Sequence, residues 1–150
     1  MKESLSSIFQ KIRGAPTEVD GRFVYPIFKE HVEKGERNLR IRRLASKQSP
    51  VQGIRIKMVK GLIEIYGRKY SEIVLWADTS PTVVDLKISS RSGGELRAWN
   101  VWKIDDITQA WIGNAGIRIA KEGGVVTLEC SDGVGDIDFS NLVVEVDARA

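Results

Sequence analysis

A chain of 150 residues with 42% apolar and 29% charged side chains has the composition of one folded domain, 1–150, and excludes a disordered or low-complexity polypeptide. One cysteine, Cys130, excludes an intramolecular disulfide, and one histidine, His31, excludes a His-rich zinc, iron or copper site within one chain. The net charge of +3 conceals a split: residues 1–75 hold 16 Lys or Arg against 8 Asp or Glu, whereas residues 76–150 hold 7 against 12. Two such halves can pair within the fold or between subunits.

In chain order, the first element predicted is a helix. Leu5, Ile8, Phe9 and Ile12 recur at helical spacing, Ser4 can cap the start, and Gly14 and Pro16 end an appended amphipathic segment 1–14. This stretch has no continuous apolar core, so it is not read as a signal peptide. No run reaches the length of a membrane span, and the expectation is a cytoplasmic protein without a membrane partner. From there the pattern has period two. "RFVYPIF" (22–28) reads as a strand interrupted by Pro26, and 29–37 as a helical turn or loop. Residues 53–67 read as a hairpin reversed at Lys60–Gly61. Further strands are predicted at 72–77, 82–88, 95–104, 109–113, 116–120, 125–130 and 142–148, separated by clusters rich in Gly, Ser, Asp and Pro. Nine or ten short strands without intervening helices predict a mainly β chain, an antiparallel, jelly-roll-like β-sandwich with one N-terminal helix.

Three of the four tryptophans fall within "WNVWKIDDITQAW" (99–111). Side chains alternate across a strand, so Trp102, which shares a face with Leu96 and Ala98, is expected inside. Trp99, which alternates with Arg97, is expected to face solvent or a second layer, and Trp76 shares the more polar face of its own strand. The strand around Trp111 is too short to assign. Trp76, Asp78, Arg97 and Trp99 therefore form the candidate ligand site, provided their strands lie on one sheet. An indole can carry the C–H face of a sugar while Arg and Asp hold its hydroxyls, so the expected ligand is carbohydrate-like. The competing account places these indoles under the helix or in a subunit contact.

"SDGVGDIDFSN" (131–141) places Asp132, Asp136 and Asp138 in a glycine-rich loop, the composition from which a calcium site could be built, although the spacing is not that of an EF-hand. The same carboxylates could simply cap loop amides. The ending "DIDFSNLVVEVD" resembles the closing strand of several bacterial β-sandwich modules, some of which bind carbohydrate or calcium. Asn141 stands where an aspartate would strengthen the calcium implication.

The run 34–47 contains Lys34, Arg37, Arg40, Arg42, Arg43 and Lys47. Arginine forks suit phosphate, which makes an anion or nucleic-acid binder a rival reading, but no aromatic interleaves with these charges and no nucleic-acid motif accompanies them. Docking of this run against the acidic half is the simpler expectation. A hydrolase acting through two carboxylates, drawn from Glu64, Glu72, Asp78, Asp85 and Glu129, is the alternative enzymatic reading. The sequence thus predicts a non-catalytic binding or assembly module. The apolar helix face and the charge split further predict a homo-oligomer.

Overall fold

The computed structural model describes residues 3–149. Met1 and Lys2, the first residues of the expected N-terminal segment, lie outside that range. Helix α1 spans Leu5–Lys11; the Ser4 side chain accepts the Ser7 N–H at 3.3 Å, and Gly14, at φ +79°, turns the chain away. Leu5 and Phe9 are buried in a small cluster with Val24 and Phe139. Val24 belongs to a hairpin of β1 (Thr17–Val19) and β2 (Arg22–Val24), and Phe139 to the loop before the last strand. Of the apolar face that suggested a partner chain, Leu5 and Phe9 are thus covered from within the molecule, whereas Ile8 is half-buried and Ile12 exposed.

The remaining strands form two antiparallel sheets. The larger runs in the order β12 (Gly116–Glu122), β13 (Val125–Ser131), β14 (Leu142–Asp147), β4 (Gly35–Ser46), β9 (Val83–Ser90), β6 (Leu62–Ile65) and β7 (Arg68–Tyr70). The smaller runs β11 (Ile107–Gln109), β10 (Gly94–Ile104), β5 (Gln52–Val59) and β8 (Glu72–Trp76), with β3 (Phe28–Val32) also pairing β10. Alternation sends Leu39, Ile41, Ile88, Leu128 and Val144 inward from the larger sheet and Phe28, Ile54, Ile56, Met58 and Leu96 inward from the smaller, and these make one core. The sandwich read from the strand pattern is the fold that forms.

Three local expectations change. Residues 53–67 are two strands of different sheets: β5 pairs β8 and β10, whereas β6 pairs β7 and β9. Lys60, at φ +60°, and Gly61 carry the chain across the sandwich instead of closing a hairpin. Glycine is needed there because a Cβ on Gly61 would stand 2.3 Å from the Ser89 carbonyl oxygen. Burial explains the crossing, since the apolar rows of β5 and β6 are both satisfied by facing each other. Residues 29–37, expected as helical turn or loop, are mostly extended: 29–32 belong to strand β3, with Phe28 and Val32 inward and His31 exposed, and 35–37 open β4. Of residues 109–113, expected as a strand, only Gln109 lies in one, at the end of β11; Trp111 sits in the left-handed region at φ +58°.

Charges of the two halves meet within the chain. Arg22 pairs with Glu129 at 3.3 Å, Arg40 with Asp85 at 2.9 Å and Lys47 with Asp132 at 2.9 Å. On the outer face of the larger sheet, Arg42 stands opposite Glu145, and Arg40 lies between Asp147 and Asp85. The basic run is therefore a strand whose outward arginines oppose carboxylates. Among the described residues, no helix is long and apolar enough to cross a membrane.

Candidate functional site

The outer face of the smaller sheet collects the indoles and cations that alternate with its core positions. On β10, Glu95, Arg97, Trp99, Val101 and Lys103 lie on the strand face opposite to Leu96, Ala98 and Trp102; Glu95, Arg97 and Lys103 are partly exposed there, whereas Trp99 and Val101 are buried. Trp102 is completely buried, as its strand face requires. Register places Arg97 between Lys29 of β3 and Lys57 of β5, and Lys57 beside Glu72 of β8. One step along, Trp99 stands opposite Arg55 and Arg55 opposite Val74; the next row is Val101, Gly53 and Trp76.

Trp76 and Trp99 thus share one face, but on strands separated by β5. Gly53 makes this possible: a Cβ there would lie 2.7 Å from Cε3 of Trp76, so the indole rests on bare backbone. Lys103 Nζ lies 4.3 Å from the centroid of the same ring, a cation–π contact that covers its outer side. Arg55 Nε is 2.9 Å from Glu72, and Arg97 is held by Glu95, so both carboxylates of the face are already engaged. Asp78 lies beyond β8 in an exposed turn, off this surface.

The largest correction concerns Trp99. It is only 7% exposed because Trp111 stacks on it, with ring centroids 4.9 Å apart and planes inclined by 27°. Trp111 itself is 49% exposed and donates its Nε1–H to the Pro26 carbonyl at 3.0 Å. The accessible ring is the tryptophan whose strand could not be assigned, and the indole expected outside is its support. A tryptophan within a Gly-, Asn- and Ile-containing turn segment was the signal present in the sequence.

Two adjoining hollows continue from this ring and share Gly14 and Ile27. One, of about 430 Å³, lies between Trp111, Pro26 and the Phe9, Gln10 and Arg13 side of the N-terminal segment. The other, of about 590 Å³, runs past Tyr25, Phe28 and Lys29 to Ile119 and Lys121 on β12. Lys121, exposed on this edge strand, has its Nζ 5.8 Å from the centroid of the Phe28 ring.

The opposite flank of α1 has a different character. A hollow of about 1150 Å³ is lined by Glu3, Glu18, Asp20, Glu129, Asp136 and Asp138, among others, with Arg118 stacked 4.2 Å from the Phe139 ring. The three aspartates proposed for calcium are not gathered here. Asp132 is fully buried elsewhere: it accepts Gln52 Nε2 at 2.8 Å and the Val134 N–H at 2.9 Å, and pairs with Lys47. Asp138 accepts the N–H and hydroxyl of Ser140, whose hydroxyl above all holds that carboxyl below the ordinary range. Asp136 is exposed. Among the described residues no group of three or more His, Cys, Asp or Glu is placed to hold a metal ion, and Asp132, Asp136 and Asp138 are not brought together. The loop carboxylates cap amides and tie the loop to the core.

Of the carboxylates weighed for hydrolysis, Glu64 and Asp85 line one hollow of about 370 Å³ on the larger sheet. Hydrogen bonding from Arg40 holds the Asp85 carboxyl below its ordinary range, the reverse of what a general acid requires. Comparisons with protein-family models, with curated proteins and with solved structures yield no match.

Proposed function

We propose that the protein is a non-catalytic binding module whose carbohydrate-like ligand lies against Trp111 and the cation-rich outer face of the smaller sheet. The observation that carries this reading is the half-exposed Trp111 ring laid on the buried Trp99. Stacking on a buried neighbour fixes the orientation of an exposed ring before a ligand arrives, which lowers the ordering cost of binding. A pyranose offers a C–H face to such a ring, while Lys29, Lys57 and Arg97 offer hydrogen-bond donors to its oxygens. Trp76, covered by Lys103, borders the site and is not its platform.

Titration calorimetry with a panel of neutral and acidic oligosaccharides tests this reading. Trp111→Ala is expected to lower affinity for the binding member at least tenfold. Trp111→Phe, which keeps a ring over Trp99, is expected to retain part of it. Unchanged affinity in Trp111→Ala, or no binding by any oligosaccharide, would overturn the proposal.

A further inference from the structure

The charge of the hollows beside Trp111 narrows the ligand further, in an argument that rests on the reading above. Arg13, Lys29 and Lys121 come from three separate parts of the chain, the end of the helical segment, β3 and β12, and converge on these two adjoining hollows. None of the three is in an ion pair among the described residues. Among the described residues no carboxylate lines either hollow, in a chain with 20 Asp and Glu. The contrast across α1 and β12 sharpens this. Leu5, Ile8 and Arg118 border the acidic hollow, whereas Phe9, Arg13, Ile119 and Lys121 border the basic ones. The two elements therefore divide the surface into a side that repels anions and a side that attracts them.

We infer that the ligand is an acidic saccharide, bearing carboxylate or sulfate groups, that extends from Trp111 past Ile27 into the hollow closed by Lys121. Its sugar face meets the indole, and its anionic groups meet Arg13, Lys29 and Lys121. A nucleic-acid strand fits less well, because sequence-tolerant binding of single strands uses successive aromatic platforms. Here Trp99 is buried and Trp76 is capped by Lys103, leaving one open indole.

Calorimetry with three probes of equal length decides the matter: a hexagalacturonate, cellohexaose and hexathymidylate. The expected result is tightest binding of the hexagalacturonate, weakening severalfold between low and physiological salt as screening rises. In Arg13→Ala/Lys29→Ala/Lys121→Ala this binding should fall at least tenfold, a larger factor than the same substitutions cost any weak cellohexaose binding. Should the triple variant fold poorly, Lys29→Gln alone, at an exposed position, is expected to lower hexagalacturonate affinity about threefold. Equal or tighter binding of cellohexaose would overturn the acidic ligand while leaving the binding module standing. Binding of neither sugar would overturn both readings, and tightest binding of hexathymidylate would replace the saccharide with a nucleic acid.

Discussion

Gly53 and Trp76 illustrate how one residue without a side chain sets the position of the largest one. The indole occupies the space in which a Cβ would have to stand, 2.7 Å from its Cε3. Gly53→Ala is therefore expected to cost about 1–3 kcal/mol through overpacking, measured by urea denaturation, and to alter tryptophan emission as Trp76 is displaced from Lys103. An unchanged midpoint and spectrum would mean that the ring yields freely. Asp132 makes a second such case. Its oxygens serve Lys47, Gln52 and the Val134 amide from a site with no exposure. Asp132→Ala leaves these donors without their acceptor and is expected to cost about 3 kcal/mol in the same measurement. A loss below about 1 kcal/mol would show the network to be dispensable. Neither relation was legible in the sequence. Period-two patterning says which face a side chain occupies, and so it placed Trp102 inside. It does not say what lies on top of the other face, which is why Trp99 was expected outside and Trp111 could not be assigned.

Strands were recovered well from the sequence, their partners less so. β8, β9, β10, β12, β13 and β14 lie close to where alternation and turn chemistry put them. The reversal at Lys60–Gly61 was legible as a turn, but not as a passage between sheets, because a left-handed residue followed by glycine suits both geometries. The charged run over β4 behaves as the split in composition suggested. Its arginines oppose Asp85, Asp147 and Glu145, which come from the strands on either side. This arrangement has a consequence for acid stability. Hydrogen bonding by the Arg149 side chain, helped by its amide and by Arg40, brings Asp147 down to about 2, and Arg40 lowers Asp85. A carboxyl depressed in the folded state adds stability that is present above its unfolded value, near 3.9, and lost as pH falls through the folded value. Stability is thus expected to decline between pH about 4 and about 2, and Asp147→Asn to flatten part of that decline in urea midpoints taken across this range. An identical profile in the variant would assign the acid loss to other groups.

At the scale of the whole molecule, the two sheets enclose Cys130 completely, and burial, with a smaller contribution from Glu129, pushes its thiol far above the ordinary cysteine range. The thiol should therefore react with a disulfide reagent only when the sandwich opens, at a rate that follows unfolding as denaturant is raised. Rapid labelling of the native protein would show that the interior is reached by smaller openings. The layered architecture could be read from strand spacing alone, whereas the proposed binding face could not. That face depends on β10 lying between β3 and β5, a pairing of segments distant in the chain that no local pattern encodes.

The order of the larger sheet bears on how the chain is made. β4 finds one neighbour in β9, but its other neighbour is β14, which also joins β12 and β13 to the rest. During synthesis the first strands of that sheet must therefore wait, with one border of β4 unpaired, until Leu142–Asp147 has left the ribosome, about a hundred residues after β4 itself. Pairing between such distant segments is slow. The exposed ladder would be the place where a nascent copy first needs protection from its neighbours.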